Sequence, residues 1–205
     1  MDYTRVIPIA VFLTSLSSVP ALSAEQAPPP QKERSAAAKN NDVAALTQKA
    51  EAGDVAAQFK LARAYDKGEG VEQDFAAAMK WYTKAAEQGD PKAQTNLGFM
   101  YADGRGVEQN YAEAAKWYRK AAEQGDVIAQ TNLAGIYAEG LGGVKKDGAE
   151  ALKWYRKAAE QGSAHAQNKL GLMYARGEGA AKDDAEAVKW LRNRRSRALP
   201  RVSTI

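Results

Sequence analysis

Four tryptophans, Trp81, Trp117, Trp154 and Trp190, stand 36, 37 and 36 residues apart, and their surroundings recur with them. The stretch KWYTKAAEQGD at 80–90 returns as KWYRKAAEQGD at 116–126 and as KWYRKAAEQG at 153–162. A period of this length restricts the chain to a repeat architecture, in which one small unit cannot bury its own apolar face and must stack on copies of itself.

The punctuation inside each unit predicts two helices. The first begins after Asp54, Asp90, Asp126 or Ser163, each a residue type that caps a helix N-terminus, and Pro91 occupies a first helical position. Ala93, Leu97 and Tyr101 recur at i, i+4 and i+8, one stripe of a helix that Gly104 then ends. The second helix begins after Asp74, Asn110, Asp147 or Asp183, each seven residues before a Trp. Glu113, Glu150 and Glu186 stand three residues after their caps, which predicts a reciprocal capping box. Gly89, Gly125 and Gly162 follow these helices as left-handed terminators.

These signals divide the chain into repeats at 54–89, 90–125, 126–162 and 163–199, within a repeat domain at 42–199. The third repeat carries its extra residue in the turn, Gly-Leu-Gly-Gly-Val at 140–144 against Gly-Arg-Gly-Val at 104–107. Residues 42–53 read as a second helix without its first, an N-terminal capping helix. The last unit replaces Lys-Ala-Ala-Glu-Gln-Gly with an arginine-rich run, a polar cap for the end of a stack.

Hydrophobic residues make up 45% of the chain, much of it alanine, and the predicted fold class is all-α. There is no cysteine, so neither a disulfide framework nor a thiol nucleophile is available. The net charge of +4 belongs to the end of the chain, where Arg192, Arg194, Arg195, Arg197 and Arg201 cluster; acidic and basic residues nearly balance elsewhere. That distribution is not the basic face of a nucleic-acid-binding domain, and no nucleic-acid partner is expected.

The first 41 residues read as address and tether. Arg5, an apolar run at 6–16 and small residues through Ala21, Ser23 and Ala24 follow the order of a secretory signal peptide at 1–24. The run is too short for a comfortable membrane span, which needs ~20 apolar residues. Residues 25–41, with three consecutive prolines, predict a disordered linker. The expectation is an exported, periplasmic or secreted protein with no integral membrane span after cleavage, present as a monomer.

The pattern A-x-x-x-L-G-x-x-Y-x-x-G-x-G-V, then Asp or Asn, then A-x-x-W-Y-x-K-A-A-E-Q-G, resembles the Sel-one-like repeat, a relative of the tetratricopeptide repeats. The resemblance covers 54–191 and the half-unit before it. It implies antiparallel helix pairs stacked in a right-handed α-solenoid with a concave inner surface. It further implies a scaffold or adaptor that binds a protein or peptide. One exported branch of the family, with a disulfide across each repeat, binds penicillins. That leaves a penicillin-binding or β-lactamase-like activity as an alternative, for which this chain lacks the cysteines.

Residues that fill one slot in every unit serve the unit itself. The four Trp residues, Tyr65, Tyr101, Tyr137 and Tyr174 are therefore expected in the core, and Glu87, Glu123 and Glu160 as charges at helix ends. The Gly-x-Gly pairs follow helices and lack the Gly-Lys-Ser/Thr of a phosphate loop. His165 is the only histidine, it falls near a helix start, and no catalytic, metal or cofactor site is expected. Slots that vary between units are the candidates for partner binding. On a helical wheel the face opposite Ala93, Leu97 and Tyr101 carries Thr95, Phe99 and Asp103. Its counterparts are Arg63 and Lys67, Thr131 and Glu139, and Asn168, Leu172 and Arg176. By resemblance to tetratricopeptide arrays this face lines the concave groove, and Asn96 and Asn132 occupy a slot where some arrays clamp a peptide carboxylate. Phe99 is the expected anchor, as an exposed aromatic. The arginine-rich tail offers a further alternative, association with polyanions or membranes.

Overall fold

The computed structural model describes residues 42–198, with side chains through 192. The expected signal peptide at 1–24, the linker at 25–41 and the tail at 200–205 lie outside the described residues, as do the side chains of Arg194, Arg195, Arg197 and Arg201.

Each repeat opens because a capping side chain satisfies an amide that no turn of helix can reach. The carboxylates of Asp54, Asp90 and Asp126 accept from the amides of Ala57, Ala93 and Ala129 at 2.6–2.7 Å, and the hydroxyl of Ser163 accepts from Ala166. Asp74, Asn110, Asp147 and Asp183 cap the second helices in the same way. After α1 (42–51) these caps generate the pairs α2 (Val55–Lys67) and α3 (Phe75–Glu87), α4 (Pro91–Asp103) and α5 (Tyr111–Glu123). The pairs α6 (Val127–Glu139) and α7 (Gly148–Glu160), then α8 (Ala164–Arg176) and α9 (Asp184–Ala198), complete the array. Every first helix ends at a glycine with φ near 70°, a conformation open to glycine without steric cost. No strand occurs among the described residues.

The core runs lengthwise through the stack. Alanines with no exposure, such as Ala62, Ala78, Ala93, Ala114, Ala129 and Ala151, let the helices approach closely, and Leu61, Leu97, Leu133 and Leu170 fill the space between them. The largest fully buried aromatics are Tyr82 and Tyr118, which follow their tryptophans directly; Tyr155 is nearly as buried. The tryptophans join this core to different degrees. Trp81, Trp154 and Trp190 are buried, Trp117 only half so, and Lys84, Lys120 and Lys157 lie over the rings of Trp81, Trp117 and Trp154 at 4.1–4.5 Å. Of the first-helix tyrosines expected in the core, Tyr174 is buried and Tyr65, Tyr101 and Tyr137 are half-buried.

Repeats are joined by a glutamine ladder. Gln58, Gln94, Gln130 and Gln167 are buried and donate to the carbonyls of Ala50, Ala86, Ala122 and Ala159. Gln88, Gln124 and Gln161 then donate to the side-chain oxygens of Gln58, Gln94 and Gln130 at 2.7–2.9 Å. Each buried amide is thus satisfied by the neighbouring helix, as a buried polar group requires.

The expected capping boxes form by half. The caps accept, but Glu113, Glu150 and Glu186 turn forward to Lys116, Lys153 and Lys189, and the last two also accept from the indoles of Trp154 and Trp190 at 3.0 Å. The reason is competition. The amides of Asp74, Asn110, Asp147 and Asp183 already donate to the carbonyls of Tyr65, Tyr101, Tyr137 and Tyr174, so no amide is left for the glutamate.

Candidate functional site

The first helices are equivalent in register, so their variable slots can be compared one by one. The slot held by Arg63, Phe99 and Leu172 in the other repeats is Gly135 in the third. A side chain is missing there, and the space remains open as part of a cleft of about 600 Å³. A Cβ placed on Gly135 would meet only the Tyr155 hydroxyl, at 3.5 Å, an ordinary contact. The gap is therefore not forced by crowding. Gly98 differs in this respect: a Cβ there would come within 2.4 Å of the Tyr118 ring, so packing demands that glycine.

Helix α6 carries apolar residues beyond its buried face, alongside the polar Thr131, Asn132 and Glu139. Its outer side presents Ile128, 55% exposed, where the other repeats carry Ala56, Lys92 and His165. The extra residue of the third turn adds to this surface. It lets Leu141–Gly143 form a short 3₁₀ turn whose Gly142 sits against Tyr111, and it leaves Leu141 36% exposed at the rim. Phe99 forms one wall, edge-on to Tyr118 with ring centroids 5.6 Å apart, so it is half-buried rather than freely exposed.

Charges mark the two ends. Asp103 and Glu139 close α4 and α6, where the helix dipoles add to their negative field. Arg105 lies 3.5 Å from Asp103, whereas Glu139 has no ion pair among the described residues. The field reaches the floor. Burial pushes the Tyr155 phenol up to about 12, with Glu139 adding to it, and burial followed by Asp103 holds the Tyr118 phenol well above its usual range. At the other end the first half of α8 contributes His165 and Lys169.

Of the residues that the sequence singled out, Phe99, Asp103, Thr131, Asn132 and Glu139 come together in this cleft. The others do not. Thr95 is buried rather than on a groove surface, and Asn96 donates back to the Lys92 carbonyl at 2.7 Å. Arg63 pairs with Glu69, Lys67 with Asp66, and Arg176 with Glu178, at 3.5–3.8 Å on the surface of flanking repeats. Leu172 and Asn168 are half-buried outside the cleft. The sequence reading missed Gly135, Ile128, Leu141 and the role of His165. Aligning the 63, 99, 135 and 172 slots supplies the signal for the first of these. Among the described residues no group of three or more metal-ligating side chains occurs, and no helix is long and apolar enough to cross a membrane.

Comparison with known proteins accounts for the four repeats. The Sel1 repeat profile matches residues 55–90, 91–126, 127–163 and 164–193. Among solved structures the chain is similar to c5321, a protective antigen present in uropathogenic Escherichia coli strains displaying an SLR fold. That match has 40% identity and a TM-score of 0.70, over 82% of this chain and 40% of that one. It is also similar to a Sel1 repeat protein from Oxalobacter formigenes, at 40% identity and a TM-score of 0.68, over 78% of this chain and 46% of that one. The chain thus spans less than half the length of either relative. No curated protein matches. With four consecutive repeats matched across more than half of its residues, the chain belongs to the Sel1 repeat family.

Proposed function

We propose that this chain is a non-enzymatic scaffold that holds a segment of a protein partner in the cleft between its second, third and fourth repeats. Sel1-repeat proteins commonly serve as protein-interaction scaffolds and are typically non-enzymatic. The observation that carries the reading is the coincidence of Gly135, Ile128 and Leu141 on one face. A monomer has little reason to keep an exposed isoleucine and leucine beside an unfilled gap, whereas a binding surface needs an apolar centre with a polar rim. The mechanism is non-covalent: preformed helices exclude water from an inserted segment and pay little ordering entropy. The setting we propose is outside the cytoplasm, supported by the basic, apolar and small-residue order of the first 24 residues.

The test is site-specific photo-crosslinking of the full chain in its own cells. A photoreactive amino acid at position 128 should yield a discrete protein adduct. The same group at position 188, on the exposed side of α9, should not. Equal adducts at both positions, or none at 128, would overturn the assignment of the cleft.

A further inference from the structure

The cleft has a direction as well as a volume. Glu139 is the last residue of α6 and His165 the second of α8, and the two helices are in register. The His165 slot and the Glu139 slot are 11 residues apart along a first helix, about 16 Å at 1.5 Å per residue. An extended chain covers that distance in about five residues. Gly135 lies one turn before Glu139, about 6 Å, or roughly two residues of extended chain.

Resting on the scaffold reading above, we propose that the cleft takes an extended peptide segment that carries an apolar side chain and a lysine or arginine about two residues apart. The apolar side chain enters the gap over Gly135, between Phe99 and Tyr155. The cation lies against Glu139, at the negative end of α6. Three observations select this chemistry. The cleft around the gap is lined by Phe99, Ile128, Ile136 and Leu141, so it takes an apolar side chain, while the Tyr155 hydroxyl beside Gly135 is left to pair with the backbone of the segment. Glu139 is exposed and has no ion pair among the described residues, while Asp103 beside it is already shared with Arg105. The slot of Glu139 carries Arg176 in the fourth repeat, so a cationic segment displaced by one repeat in that direction meets like charge and is rejected; displaced by one in the other direction it meets Asp103, which Arg105 already shares. Lys169 at the other end, next to His165, orients the segment, since a lysine there favours an acidic side chain or a terminal carboxylate over a second cation.

The experiment is selection of random peptides displayed on phage against the immobilised full chain, with Gly135→Leu as the counter-selection target. Gly135 has ordinary helical backbone and room for a Cβ, so this variant keeps the fold while filling the gap. The expected consensus is an apolar residue with lysine or arginine two positions away. Affinity of the enriched peptide should fall at least tenfold in Gly135→Leu and about fivefold in Glu139→Gln, and should hold in Glu87→Gln. Peptides that depend on Gly135 but carry no basic residue, or that ignore Glu139→Gln, would overturn the charge assignment while leaving the cleft as a protein-binding site. Absence of any Gly135-dependent peptide would overturn this proposal, and the crosslink at position 128 decides the broader one separately. Self-association that disappears in Gly135→Leu would assign the cleft to a second copy of the chain and overturn the peptide.

Discussion

The junction between the first and second repeats and the junction between the second and third are built on the same frame and closed differently. At the first, Asp66 is buried with its side chain 5% exposed, and Arg105 reaches back from the turn of the second repeat to bind it at 3.2 Å. Lys67 adds a contact at 3.5 Å, and the Arg105 guanidinium lies 6.0 Å from the Phe75 ring. At the second junction Ala102 stands in the slot of Asp66, and Leu141 follows its cap glycine as Arg105 follows Gly104. Both Ala102 and Leu141 line the cleft. One frame therefore supports either an ion-paired seam or an open apolar surface, and the residues in these two slots differ accordingly. Caps and glutamine ladder are common to both, so stacking does not depend on the choice.

Alkali probes the largest difference in stability. The phenols of Tyr82, Tyr118 and Tyr155 sit one per junction, and burial raises all three, Tyr155 the least, to about 12. Their folded-state pKa lies above the unfolded value of about 10, so the stability they contribute is complete below that value and is lost as pH rises toward 12. Helical circular dichroism should hold through about pH 9 and collapse between about 10 and 12, together with the rise in tyrosinate absorbance. Tyrosinate appearing for all nine tyrosines near pH 10 with the helices intact would contradict the burial of these rings.

The next largest effect should come from the ion-paired seam. Arg105→Ala strands the Asp66 carboxylate and should cost about 3 kcal/mol, softened by the remaining Lys67 contact. Asp66→Ala with Arg105→Ala recreates the alanine of the other repeats and should return to within about 1 kcal/mol of the parent in urea denaturation. A double variant as unstable as the single one would show that the seam does more than neutralise a buried charge.

The glycine pair sets the smallest and most diagnostic contrast. Gly98→Ala drives a methyl into the Tyr118 ring and should destabilise by about 1–3 kcal/mol. Gly135→Ala meets open space in a helix interior and should stabilise by about 0.5–1 kcal/mol. Equal effects on the thermal midpoint would remove the distinction between a glycine kept for packing and one kept for an opening.

The frame was legible in the sequence because it is repeated: the caps, the turn glycines and the period of the tryptophans each recur, and the structure places them as spacing predicts. The site was legible only in part. Phe99, Asp103 and Glu139 vary between repeats and announce themselves as side chains. Gly135 announces nothing, since its contribution is an absence. Thr95 was misplaced for a geometric reason. A helical wheel grants a helix one buried and one open face, but a first helix inside a stack is covered by its own partner and by both neighbouring repeats, so its open sector is narrower than half a circle. The Glu–Trp contacts were hidden too, because a capping-box pattern does not reveal that a tyrosine carbonyl has already taken the amide.

That carbonyl contact has a further consequence. The amide of Asp147 reaches the Tyr137 carbonyl at 2.9 Å although its turn is one residue longer than the others, the same contact that closes the shorter turns. The segment between Gly140 and Asp147 thus takes up an extra residue without losing the contact that closes the turn. Length added there changes the rim of the cleft, and so long as the contact of Gly142 with Tyr111 is kept, this turn is the place where specificity can evolve, or be engineered by loop grafting, on an unchanged frame.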